Sequence, residues 1–149
     1  MSWWINYGEL ACCMAGWLTA SILKFPTYYF IHKKINLVQA FGTGGMPSSH
    51  AALMVSTTLG IGLFSGFDTS AFALAIAVSM VVLYDAAGVR RQAGIHAERI
   101  NMIINEIFQG KPIDQEELKE MLGHTPIEVI GGTLTGIVTA LVIWAIWPK

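Results

Sequence analysis

The chain has 149 residues, 54% of them hydrophobic and only 13% charged, with 9 Lys+Arg against 10 Asp+Glu for a net charge of −1. Its length fits one domain, and a charged fraction near half the usual ~25% argues against both a disordered chain and an ordinary soluble domain. The balanced charge offers no global basic field for nucleic acid, and the adjacent Cys12 and Cys13 exclude a disulfide framework, which leaves a small integral membrane protein.

A bilayer core needs about 20 residues of helix, with roughly 17–25 tolerated. Runs free of Asp, Glu, Lys and Arg cover residues 10–23, resume over 25–31 after Lys24, and then cover 35–67, 69–84 and 129–148. The apolar part of the second begins near His50. Four spans are therefore predicted near 9–31, 50–67, 69–86 and 127–147, within a single membrane domain over 1–149. The second and third form a helical hairpin around Ser65-Gly66-Phe67-Asp68. No Lys or Arg precedes the first run, which argues against a signal peptide. The expected fold class is all-α, an integral membrane helical bundle with about four transmembrane helices and a cytoplasmic amphipathic helical loop.

Orientation follows from basic residues. Lys33 and Lys34 in the first loop and Arg90, Arg91, Arg99, Lys111 and Lys119 in the third share one side, against Lys149 on the other. The positive-inside rule places those loops in the cytoplasm and both termini on the opposite side of a cell inner membrane. Trp3, Trp4, Trp144 and Trp147 would belt the outer interface, and Tyr28, Tyr29 and Tyr84 the inner one. Within the third loop, Ile100, Ile103, Ile104, Ile107 and Phe108 recur at helical spacing, with Arg99, Asn101, Asn105 and Glu106 on other faces. This predicts an amphipathic helix on the inner membrane surface or on the bundle. Gly110-Lys111-Pro112 would end it, and a second, acidic helix is expected over 114–122.

Three segments carry chemistry. The first is Gly42-Thr43-Gly44-Gly45-Met46-Pro47-Ser48-Ser49-His50. Glycines such as Gly45 let backbone approach a ligand, and Pro47 suits a first helical position. Ser48, Ser49 and His50 would then fall in the first turn of the second span. There the free N–H groups and partial positive charge of a helix start favour an anion such as phosphate. An ordinary capped helix start with an interfacial histidine explains the same residues equally well.

The second segment is Leu122-Gly123-His124-Thr125-Pro126-Ile127-Glu128. Thr125 and Glu128 match a capping box, with Pro126 at the first helical position. His124 precedes the cap and needs no role in it. Four residues from Glu128, its imidazole is within reach of a carboxylate that could orient it and raise its basicity. Both helix starts are expected on the same side, so two N-termini, two histidines and hydroxyls could converge on one anion.

The third segment, Tyr84 to His96, carries Asp85 at the inner end of the third span, followed by Arg90 and Arg91. Arginine forks match phosphate oxygens, although positive-inside anchoring explains them too, and Asp85 could simply hold an arginine. Lys24 interrupts the first span, either as a functional intramembrane cation or as a side chain snorkelling to the interface. Gly132 and Gly136 form a small-x3-small pattern that fits close helix packing.

Together, Gly-Gly-Met-Pro-Ser-Ser-His, Asp-x3-Val-Arg-Arg-Gln-Ala-Gly and Leu-Gly-His-x-Pro-Ile-Glu-Val resemble the divergent type 2 phosphatidic acid phosphatase family. That family is related to acid phosphatases and vanadium haloperoxidases. The resemblance runs from Lys24 to Gly136. In the wider superfamily the second motif is Pro-Ser-Gly-His and the third is Ser-Arg-x5-His-x3-Asp. The resemblance implies His50 as general acid, Ser48 as a phosphate donor, His124 as nucleophile and Glu128 as its orienting carboxylate, and Ser49, in the place of the motif's glycine, would offer phosphate a second hydroxyl. Glu117 and Leu118 stand where Ser-Arg would be, and no Arg-Pro follows a lysine at the first motif's spacing. Arg90 and Arg91 would then supply the arginine, Lys24 the motif-one lysine, Gly45 a phosphate-binding backbone and Asp85 support.

The implied reaction is metal-free phosphomonoester hydrolysis through a phosphohistidine, with no cofactor. The histidines lack His-x3-His spacing and no cysteine lies near them, so no metal cluster is expected. The expected partners are a lipid phosphate, phosphatidylglycerophosphate first, and the bilayer, with no nucleic acid. The sequence leaves a homo-oligomer open. A reading from another class is a non-catalytic membrane protein binding anionic lipid headgroups through Arg90, Arg91 and Lys24, which would need neither His50 nor His124.

Overall fold

A computed structural model describes residues 7–33, 45–107 and 124–148, without the side chains at 31–32, 89–91 and 105–107. The expected stop at 110–112, the acidic helix over 114–122, the tryptophans at 3 and 4, and positions 117 and 118 lie outside the described residues. Helices make up the described elements: α1 Gly8–His32, α2 Ser49–Ser65, α3 Ser70–Ala87, α4 Val89–Ile107 and α5 Pro126–Ile146. Each predicted span lies on one of them. The hairpin between α2 and α3 turns at Gly66, whose φ of 113° a side chain would resist. Thr69 then caps α3 by accepting from the Phe72 N–H at 3.2 Å.

The fold is an all-α membrane bundle. By length and hydropathy α1, α5 and the run from α3 into α4 suffice to cross a membrane. The 17-residue α2 is shorter, about 25 Å at 1.5 Å per residue. Its surroundings explain its modest apolarity, because α1, α3 and α5 all pack on it. The outward faces of the other helices carry the large apolar side chains: Leu10, Met14 and Leu18 on α1, Leu74, Met80 and Val81 on α3, and Leu134, Val138 and Val142 on α5 are exposed, as lipid-facing residues must be.

The interior is built from small residues in period four. On α1 the buried stripe is Gly8, Cys12, Gly16 and Ala20; on α2 it is Ser48, Ala52, Ser56 and Gly60; on α5 it is Gly132, Gly136 and Ala140. Backbones close on one another along these seams. A Cβ on Gly16 would sit 2.9 Å from the Ala52 carbonyl, and one on Gly136 would sit 2.7 Å from the same oxygen. Without a hydrophobic drive between helices in lipid, such close packing is what holds them. The small-x3-small expectation for Gly132 and Gly136 thus takes a definite partner, α2.

α3 is held to α2 by hydroxyls. Thr58 and Ser79 lie 2.8 Å apart, and Ser79 also donates to the Met54 carbonyl at 3.4 Å. Interhelical bonds of this kind average about 0.6 kcal/mol in a bilayer. A Thr58→Val, Ser79→Ala double-mutant cycle on unfolding in detergent is expected to return a coupling of that size. α4 follows α3 across Gly88, whose N–H still bonds the Tyr84 carbonyl at 2.8 Å. Ile100, Met102 and Ile103 are exposed on α4, while Asn101 is buried.

Candidate functional site

The three seams end at the same level in polar groups. One turn beyond Ala20, α1 presents Lys24; Ser48 caps the start of α2; one turn before Gly132, α5 presents Glu128. Lys24 is 3% exposed, Ser48 0% and His124 3%, so this end of the bundle encloses its polar side chains. Lys24 is enclosed by the bundle and does not snorkel outward.

The two helix starts are joined directly. The Ser48 N–H donates to the Glu128 carbonyl at 3.0 Å. That approach depends on Gly132, because a Cβ there would fall 2.3 Å from the Ser48 carbonyl. Ser48 is the N-cap of α2, its hydroxyl accepting from the Ala51 N–H at 3.3 Å, so the helix begins at Ser49 rather than at Pro47. Serine at this position supplies the missing acceptor for a first-turn N–H, which proline cannot do. The Ser48 hydroxyl proton remains available to donate. Gly45 has a φ of 82°, a left-handed conformation natural to glycine, and Ser49 is buried in the first turn. The Met46–Pro47 bond is cis.

At the start of α5 the expected cap is present. Thr125 is the N-cap, Pro126 opens the helix, and Glu128 Oε2 accepts from the Thr125 N–H at 3.0 Å. The same oxygen lies 3.2 Å from His124 Nδ1. The carboxylate therefore caps a helix and orients an imidazole at once. An imidazole that donates Nδ1–H to a carboxylate carries its basic lone pair on Nε2. His124 is also fixed by its backbone, whose N–H donates to the Ala86 carbonyl at the end of α3 at 3.1 Å.

His50 meets His124 from α2. Their ring centroids are 5.8 Å apart at an interplanar angle of 63°. His50 also lines a cleft with Val81, Val82, Asp85 and Ala86. The structure thus brings together Lys24, Ser48, His50, His124 and Glu128, with Ser49 in the same first turn as His50 and Asp85 bordering from α3. Arg90 and Arg91 lie in the first turn of α4, but their side chains are outside the described residues.

Two contributors were not singled out in the sequence. The Thr27 hydroxyl lies 2.9 Å from the Leu23 carbonyl and also reaches the Met46 carbonyl, tying α1 to the turn before α2. The Ala86 carbonyl is a main-chain acceptor, for which side-chain spacing gives no signal. Thr27, one turn from Lys24 and next to Pro26, carries a local one: hydroxyls near a helix proline often re-satisfy freed backbone groups.

These features define an all-α membrane bundle with a buried histidine beside a half-buried carboxylate and a second histidine at one end. The chain matches the family described as Divergent PAP2 family over residues 6–139, and it belongs to that family. It is 37% identical over 145 residues to an uncharacterized membrane protein, YuiD, of Bacillus subtilis (strain 168), covering 90% of this chain and 92% of the relative. No solved structure matches the chain.

Proposed function

We propose that this protein is a lipid phosphate phosphatase that hydrolyses a phosphomonoester at the cytoplasmic face through a phosphohistidine, with phosphatidylglycerophosphate as substrate and phosphatidylglycerol as product. The observation that carries the reading is the Glu128–His124 pair at 3.2 Å, set beside His50 at the joined starts of two helices.

In this mechanism His124 Nε2 attacks phosphorus in line with the leaving oxygen. The N–P bond forms as the P–O bond breaks, and His50 gives its proton to the departing alcohol. Water then attacks the phosphohistidine, returning a proton to His50 and the electron pair to His124 as phosphate leaves. Ser48 and Ser49, the N–H groups of α2, Lys24, and Arg90 and Arg91 bind the equatorial oxygens. Charge stabilisation of this kind supplies most of the catalysis in phosphoryl transfer. The membrane setting supports a lipid substrate, since an amphiphile can reach a bundle end without leaving the bilayer. The basic loops support a cytoplasmic site.

The test is phosphate release by the detergent-purified chain from phosphatidylglycerophosphate, phosphatidate and a polyprenyl diphosphate, with EDTA present. Release that survives EDTA and disappears in His124→Asn is the expected result. No release from any of them, together with undiminished binding of anionic lipid by His124→Asn, would replace this reading with a non-catalytic lipid-binding protein. The acid assignment has its own check. His50→Ala is expected to lose about 100- to 10,000-fold in kcat on an alkyl phosphate, and far less on an aryl phosphate whose leaving group needs no proton. Equal losses on both would remove His50 from that role.

A further inference from the structure

α3 ends at Gly88, which breaks the helix with φ −108° and ψ −81°. α4 starts at Val89 and, among the described elements, packs on α3 alone. Its sequence is two-faced. At about 3.6 residues per turn, Ala93, Ile100, Ile103 and Ile104 fall on one side, with Glu98 and Asn101 on the other. A surface helix of a soluble bundle turns its apolar side to the core. α4 does the reverse. Its buried residues are Gly94 and Asn101, while Ala93, Ile100 and Ile103 are exposed.

What covers this face follows from where α4 begins. The last two turns of α3 carry Met80, Val81 and Tyr84 outward, all exposed, as part of the lipid-facing surface of the bundle. Tyr84 ends that surface, and a ring with an apolar body and a polar tip suits the membrane interface. α4 starts about one turn later, so its apolar face begins where acyl chains give way to headgroups. An amphipathic helix at that level lies in the plane of the interface, its apolar side buried about 5–10 Å into the headgroup and acyl boundary. Arg99 is exposed at the edge of the face, where a long cationic side chain meets lipid phosphates. The same helix start is close to the candidate site. The His124 N–H donates to the Ala86 carbonyl at 3.1 Å, three residues before Val89, and three residues span at most about 10 Å of chain.

We propose that α4 is seated in the headgroup layer of a phospholipid leaflet, with Ala93, Ile100 and Ile103 on its acyl chains, and that this seat holds His124 at the depth of the lipid phosphates. The seat rests on exposure and helix geometry and stands apart from the phosphatase reading. Under that reading, the nucleophile waits where a headgroup phosphate already lies.

The experiment uses the full chain with Cys12→Ala and Cys13→Ala, in vesicles of phosphatidylcholine and phosphatidylglycerol. One spin label at a time is attached to Ile100→Cys, Ile103→Cys or Glu98→Cys, all exposed positions where a label leaves the packing intact. Power saturation compares collisions with oxygen, which concentrates in lipid, and with a neutral nickel chelate, which stays in water. Oxygen is expected to dominate at positions 100 and 103, and nickel at position 98. Labels at 100 and 103 as open to nickel as the one at 98 would put α4 in water and overturn the seat. Labels shielded from both reagents would mean that protein, this chain or a second copy, covers the face, and would overturn it equally. The hold on the site is read from a label on Ala87→Cys at the end of α3. Ile100→Asp together with Ile103→Asp is expected to shift that label toward water, raising its ratio of nickel to oxygen collisions. An unchanged ratio would overturn the hold, leaving α4 at the membrane without setting the depth of His124.

Discussion

His124→Asn is expected to lower kcat by at least about 1,000-fold while lipid binding persists, because it removes the only bond-forming atom in the proposed first step. The variant leaves the surrounding scaffold largely in place. The backbone N–H of residue 124 still reaches the Ala86 carbonyl, and Glu128 still accepts from the Thr125 N–H. What changes is the nucleophile. Glu128→Gln should behave differently, since its amide oxygen can keep the cap but its charge no longer favours the imidazole. A loss of about 10- to 100-fold is expected there, the usual cost of removing an orienting partner. Rapid quenching into alkali, where phosphohistidine survives, would show a phosphorylated chain in the wild type and none in His124→Asn. Retention of label in that variant would place the nucleophile elsewhere.

The second large effect is structural. Gly132→Ala is expected to destabilise the bundle by about 1–3 kcal/mol or more and to abolish activity, although the residue touches no substrate. Its new Cβ would lie 2.3 Å from the Ser48 carbonyl and 2.8 Å from the Ala51 Cβ, and a backbone oxygen cannot rotate out of the way. Separating α2 from α5 breaks the Ser48 N–H bond to the Glu128 carbonyl and moves His50 from His124. Gly131→Ala is the control. Its Cβ would meet the end of the Met46 side chain at 3.1 Å, which can move, and alanine gains about 0.5–1 kcal/mol over glycine within a helix. Melting of the two variants in detergent should therefore shift in opposite directions. A Gly132→Ala protein as stable and active as wild type would mean that the seam does not hold the site.

Much of this is legible in the residues because the signals are local. Charge-poor apolar runs mark α1, α3 and α5, and α2 emerges from the apolar stretch after His50. Thr125, Pro126 and Glu128 announce the start of α5 through chemistry confined to one turn. The Ser48 cap is equally local, but the preceding Pro47 competes with it as a start signal, which displaces the expected boundary by a residue or two. The family too is legible, because three short motifs together carry the resemblance even where the wider superfamily's Ser-Arg and Arg-Pro are absent.

The sequence by itself determined the helices, their caps, the family and the residue types able to handle a phosphate. The tertiary structure alone decided that His50 and His124 share one place, that Lys24 is enclosed rather than extended to the interface, and that the end of α3 borders the site. Hydropathy and capping act over a few residues and fix where a helix begins and which face is apolar. Which residues meet across helices depends on the register between them. Here that register comes from the missing side chains at Gly16, Gly132 and Gly136, which let backbones close to contact at particular heights along each seam. The glycines are visible in the sequence, but their partners become visible only once the helices are packed.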